Sequence, residues 1–193
     1  MKQLSNEINK IMNKKSTVDF LNAARNFVSL LEDGEIAQND FYKNSHKALS
    51  ELYWAALGLE NIEIIYSGIE NNLTEIERYD IIKMNKNLIS NLGENVFYWQ
   101  VFDPTYIEGN EKSTKGWHAT GKEPMQGCLV DDFADIYGDL KEELIKIDEI
   151  GTNEAIEDAL WQMKFGFNHH WGNHCINAIR ALHYLWHDGK MGS

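Results

Sequence analysis

Proline is nearly absent: the chain of 193 residues has two, Pro104 and Pro124, both in one stretch. Elsewhere no proline interrupts a helical run. Cysteine is equally scarce. Cys128 and Cys175 stand without a Cys-x-x-Cys spacing, which excludes a disulfide framework and a thiolate zinc site. Lys and Arg number 18 against 30 Asp and Glu, a net charge of −12, and no dense basic run occurs. Such a surface repels phosphate backbones, so nucleic acid is excluded as a partner. No stretch approaches the ~18 consecutive apolar residues of a membrane span. Lys2, Glu7, Lys10, Lys14 and Lys15 interrupt every early apolar run, so neither a signal peptide nor a membrane role is expected, and the cytoplasm is the expected location. Glycine-rich phosphate loops, a His-Glu-x-x-His and a nucleophile elbow are missing too.

What is present is helical patterning around a hydrophobic content of 43%, with six tryptophans. The length suits one domain with its own core. Residues 153 to 188 organise the rest. As one helix they would run roughly 50 Å at the helical rise per residue. Leu160, Met163, Phe167, Trp171, Ala178, Leu182 and Leu185 fall on one arc, with His170 and His174 among them, and Trp161, Phe165, Cys175, Ile179 and Trp186 on another. A helix apolar over more than half its circumference belongs between other helices. Gly166 and Gly172 are the positions that could kink it.

The remaining chain predicts an all-α bundle of five to six helices in a single domain over residues 1 to 193. Residues 1 to 16 read as a weak, frayed amphipathic helix, and Thr17 caps a second helix to residue 31. Asn39 caps a third to about residue 59. The capping-box spacing of Thr74 and Glu77 starts a fourth that ends before Gly93. Residues 95 to 102 are aromatic and short enough for a strand or a helical turn. Residues 103 to 128 form one long Pro/Gly loop, in which Trp117 and His118 read as an inward-tucked anchor. Residues 129 to 147 return to helix, with Leu129, Phe133, Ile136, Tyr137, Leu140 and Leu144 in one stripe. Gly151 closes that helix and Asn153 caps the long one.

Polar residues beside these stripes carry the candidate chemistry. Asp132, Asp135, Asp139 and Glu143 flank one stripe. His170 and His174, four apart, share a face of the next helix. The short connection at residues 148 to 152 makes the two helices antiparallel neighbours and brings the two sets level. Carboxylates with imidazoles between facing helices suit Mn, Fe or Zn, so Asp132, Asp135, His170 and His174 form a candidate metal site, and any cofactor would be a divalent metal. The alternative is a His–Asp hydrogen-bond network that fixes helix packing. The aspartate row with Glu51 could also mimic a Mg²⁺-dependent pyrophosphatase, but no basic cluster complements phosphate.

Several motifs in order resemble a known family. They are Val101-Phe102-Asp103-Pro104, the run from Asp131-Asp132-Phe133-Ala134-Asp135 to Asp139-Leu140-Lys141, and Trp161…Phe165…His170-Trp171-Gly172…His174…Ala178-Ile179-Arg180-Ala181-Leu182. With Glu51-Leu52-Tyr53 and Ala55-Ala56-Leu57 further upstream, the chain is similar to the bacterial family catalogued as domain of unknown function 5063. The resemblance implies a bacterial, intracellular, mostly helical single domain with no established activity. Its motif positions coincide with the Asp and His sets. It also implies that the Pro/Gly loop is an expansion, so a role for Trp117 or His118 would be particular to this chain.

Two readings follow. The first is a non-enzymatic binding or regulatory helical module for an unknown protein partner, which predicts an exposed aromatic patch at residues 97 to 102 or in the loop. The alternative is a metal-dependent hydrolase or metal-binding protein that uses the Asp/His cluster.

Overall fold

A computed structural model describes residues 4–66, 81–101 and 124–187, with the side chains of 81–85 and of 187 left aside. Seven α-helices and one two-stranded antiparallel sheet make up these residues. The expected capping box at Thr74, most of the Pro/Gly loop and the Trp117–His118 pair lie outside them.

The chain opens with α1 (Asn6–Met12), capped by the Ser5 hydroxyl, and α2 (Lys15–Glu32). The second helix starts before Thr17, which is buried inside it rather than capping it. Next comes α3 (Gln38–Gly58), whose cap position is Ala37, so Asn39 too is already helical. After α4 (Ile81–Leu92), strand β1 (Phe97–Gln100) pairs with β2 (Met125–Cys128) in the register Tyr98 opposite Gly127. β2 was not expected, because Met-Gln-Gly-Cys carries none of the β-branched residues that mark a strand.

α5 (Leu129–Ile145) continues into a π-helical turn, Lys146–Ile150, closed by Gly151 in the left-handed region. α6 (Asn153–His169) is capped by the Thr152 hydroxyl, not by Asn153. The Asn153 side chain instead accepts from the Ser5 amide at 2.9 Å and ties α1 to α6. α7 (Trp171–His187) ends the described chain.

The single long helix expected over residues 153 to 188 is therefore two helices, broken at His170, where φ is −141° and ψ is −90°. Glycine makes the break feasible on both sides. A Cβ on Gly172 would lie 2.1 Å from the Phe167 carbonyl oxygen, and one on Gly166 would lie 2.8 Å from the Trp171 ring. Only hydrogen fits at either place. The fully buried Trp171 indole then folds back and donates to the Met163 carbonyl at 3.1 Å, which satisfies its N–H inside the core.

The core is aromatic at its centre. Phe133 of α5 stacks against Phe27 of α2 and Phe41 of α3, while Phe20 lies against Trp171. α7 packs against both α3 and α5, as a helix with two apolar arcs should. The second arc of α6 behaves otherwise. Trp161, Phe165 and His169 stack one over the next on its outer side, and Phe165 is exposed. No described helix is long and apolar enough to cross a membrane.

Candidate metal centre

α5 presents Asp132, Asp135 and Asp139 at intervals of three and four residues, so all three project from neighbouring positions on one side. That side meets the junction of α6 and α7. His170 occupies the break itself, held by its amide donating to the Gly166 carbonyl at 2.7 Å, and His174 sits one turn into α7. The two rings approach edge to face at 5.1 Å between centroids.

Each imidazole is oriented by its own carboxylate. His170 Nδ1 lies 2.7 Å from Asp139 Oδ2, and His174 Nδ1 lies 2.8 Å from Asp132 Oδ1. Asp132 is only 3% exposed, and its other oxygen accepts from the Tyr98 hydroxyl at 2.6 Å. The Tyr98 ring reaches that position by crossing Gly127, where a Cβ would stand 2.4 Å from the ring carbon Cζ. Glycine opposite Tyr98 in the sheet is thus what lets the hydroxyl reach the site. Burial first, and then the Asp132 carboxylate, pushes the Tyr98 phenol well above its ordinary range, so it stays protonated and donates.

The remaining functional atoms converge. Asp135, His170 and His174 each offer one ligating atom, all within 4.8 Å of one another. His174 Nε2 lies 3.3 Å from Asp135 Oδ2, long for a charge-assisted hydrogen bond. Two ligands about 2 Å from a shared ion at a tetrahedral angle stand about 3.3 Å apart. The hydrogen bond to Asp132 raises the His174 pKa against the opposing effect of burial, and the charges of Asp132 and Asp135 add to the rise. Burial raises the Asp135 carboxyl despite the attraction of His174 and His170. With Nδ1–H committed to Asp132, a neutral His174 would aim its Nε2 lone pair at a carboxylate. That face is stable only with a proton or a cation between the two groups.

Of the four residues expected to bind metal, Asp135, His170 and His174 come together with one ligating atom each inside 4.8 Å. Asp132 stands behind His174 as its orienting partner. Asp139, on the acidic row but outside the expected set, does the same for His170, and its spacing of four from Asp135 was the signal. Tyr98 had none, since nothing local in the sequence links it to Asp132. Glu51 lies on the exposed side of α3, 3.7 Å from Lys47 and not in the Asp/His group, which gives no support to the pyrophosphatase-like grouping already disfavoured by the lack of a basic cluster. The spacing His170-x-x-x-His174 matches that of His-Glu-x-x-His, but Trp171 holds the position of the catalytic glutamate and is buried.

A family model described as a domain of unknown function, DUF5063, matches residues 11–188. Among solved structures, the crystal structure of protein BF1032 from Bacteroides fragilis is similar, with a TM-score of 0.68 and 26% sequence identity over 92% of this chain and 99% of that one. No curated protein matches the chain.

Proposed function

The chain belongs to the family of domain of unknown function 5063, and from its Asp/His cluster we propose that it holds one divalent transition-metal ion on Asp135, His170 and His174. The observation that carries this reading is the pairing of each imidazole with its own carboxylate, while His174 turns its opposite nitrogen to Asp135 and one ligating atom from each of Asp135, His170 and His174 falls within 4.8 Å of the others. Metal-binding histidines almost always donate their second ring N–H to a carboxylate, a backbone carbonyl or water, which fixes the tautomer and strengthens the donor nitrogen. A site of two imidazoles and one carboxylate suits Fe, Zn or Mn rather than Ca or Mg. Three protein ligands leave coordination positions open, and a metal so held supplies Lewis-acid chemistry of the hydrolytic kind. The His170 side chain is about half exposed, at 50%, which leaves the site accessible from solvent.

The test is elemental analysis of tag-free protein, followed by loading of the metal-free protein with Zn²⁺, Mn²⁺, Fe²⁺ or Co²⁺ one at a time. Near-stoichiometric metal in the wild type, lost in Asp135→Asn and His170→Ala, is the expected result. Asp135 is partly exposed, so the Asn variant should retain its fold, checked by circular dichroism. No bound metal under any loading condition, or equal metal in wild type and variants, would overturn the proposal.

A non-enzymatic binding module, the first of the two sequence readings, has its own support in the exposed Phe97 and Trp99 on β1. The two readings concern different surfaces and can both hold.

A further inference from the structure

Two turns beyond His174, α7 and β1 enclose an open cleft of about 280 Å³. Phe97, Tyr98 and Trp99 line it from the strand, and Arg180, Tyr184 and Leu185 line it from the helix. Phe97 is 62% exposed and Trp99 68%, and Tyr184 is half exposed beside them. Large aromatic side chains gathered at the rim of a hollow, rather than scattered singly, mark a surface suited to a ligand.

Arg180 decides which ligand. Acidic residues outnumber basic ones 30 to 18 in this chain, yet Arg180 has no carboxylate or other hydrogen-bonding partner among the described residues. The other described arginine, Arg25, pairs with Asp148 at 2.6 Å. A guanidinium without a partner among the described residues, set beside aromatic faces, can take a carboxylate, sulfonate or phosphate in a two-pronged hydrogen bond while the rings stack on a flat body. The cleft, at about 280 Å³, falls just below the roughly 300–1,000 Å³ typical of ligand pockets, which restricts the body to one or two rings. We propose that this cleft binds a small planar anion, an aromatic molecule of one or two rings that carries one acidic group. The proposal stands independently of the metal centre, with which the cleft shares only the orienting residue Tyr98.

The probe is 2-naphthalenesulfonate, a flat two-ring anion, set beside its neutral counterpart 2-naphthalenesulfonamide. In fluorescence titrations the folded wild type should bind the anion with one-to-one stoichiometry. Arg180→Gln should weaken it about tenfold, the loss of one charge-assisted pair, and leave the neutral probe within about twofold. Trp99→Ala should weaken both probes. Arg180 and Trp99 are exposed, so neither variant removes core packing, and unchanged melting temperatures verify this. Equal affinity of wild type and Arg180→Gln for the anion, absence of one-to-one binding, or indifference of both probes to Trp99→Ala would each overturn the proposal.

Discussion

The two ends of α5 each gather ionisable side chains against a neighbouring helix, and they resolve the charge in opposite ways. At the C-terminal end, Lys146 lies 2.8 Å from Glu143 and 2.9 Å from Asp158. Lys146 is 3% exposed and Glu143 6%, and burial pushes the Glu143 carboxyl up to about 7 against the pull of Lys146. Below about pH 7, with Glu143 protonated, one ammonium faces one carboxylate and the cluster is closed and neutral. At the N-terminal end, Asp132, Asp135 and Asp139 face two imidazoles, and no Lys or Arg bonds any of them among the described residues. That cluster carries surplus negative charge and is open to water at His170. A closed, balanced cluster fixes the packing of helices; an open, unbalanced one is suited to receive a cation.

The largest expected effect separates the two by their failures. Lys146→Met removes the cation of the balanced cluster and leaves the Asp158 carboxylate, 25% exposed, without its ammonium beside the buried Glu143 carboxyl. Breaking a buried pair in this way costs about 3–5 kcal/mol, or roughly a 10 °C drop in melting temperature for a chain of this size. Metal content per folded molecule should not change. If Lys146→Met instead abolished metal binding while it left the melting temperature intact, the assignment of roles to the two ends would be reversed.

Asp132→Asn should do the converse. The amide can still accept from Tyr98, but it no longer presents a carboxylate to His174 Nδ1, so tautomer and ring orientation are less well held. Loss of such an orienting partner typically weakens metal binding 10- to 100-fold. Competition with a chromogenic chelator measures this directly. An unaltered affinity together with a fall in melting temperature would mean that Asp132 and His174 serve packing alone.

The pH dependence sharpens the comparison from the balanced side. The folded-state value of Glu143 is raised from 4.5 to about 7, so in that interval the folded protein binds a proton the unfolded chain has released. Its contribution to stability is therefore fully present below about 4.5 and is lost as pH rises through about 7. His174, also raised, slopes in the same direction, so the wild type alone cannot separate them. The difference between wild type and Glu143→Gln in urea unfolding isolates Glu143. It should shift by about 2 kcal/mol from pH 5 to pH 8, with the wild type losing ground as pH rises. A difference that does not vary with pH would mean that Glu143 is ionised throughout, held by Lys146.

Much of this was legible in the sequence, and the omissions have physical causes. The stripe through Phe133, Ile136 and Leu140 placed α5, and the short turn at Gly151 placed its aspartates opposite the histidine pair. The break at His170 was legible only as two glycines, Gly166 and Gly172, that could kink the helix, and not as a full break or a position. Both apolar arcs run through it without a proline, and the two glycines act by admitting the Phe167 carbonyl and the Trp171 ring, contacts that exist only once the chain has folded back. The break also explains why Asp139, though on the acidic row, stood outside the expected metal set. On a straight helix His170 would be one more residue of the face, whereas at the corner it reaches the far end of the aspartate row. The exposure of Phe97 and Trp99 agreed with the aromatic patch expected there. The strand alternation that turned Tyr98 inward followed from the pairing with β2, which no periodicity announced.

The smallest expected effect tests how far the open cluster extends. Tyr98→Phe removes one hydroxyl and nothing else. The ring still crosses Gly127 and still lines the cleft, so affinity for the planar anion should be unchanged. Asp132 loses a 2.6 Å hydrogen bond from a donor that never ionises in the ordinary pH range. Left with His174 as its only described side-chain partner, the carboxylate becomes freer to turn, and His174 is held less firmly behind the metal. A contact once removed from the ligand should cost no more than a single hydrogen bond, about 1 kcal/mol, a fewfold loss of metal affinity. Isothermal titration of wild type and Tyr98→Phe with the same metal resolves a change of that size. A loss as large as that of Asp132→Asn would show that the tyrosine, and through it the β-hairpin, belongs to the metal centre itself. No loss at all would confine the centre to the three helices α5, α6 and α7.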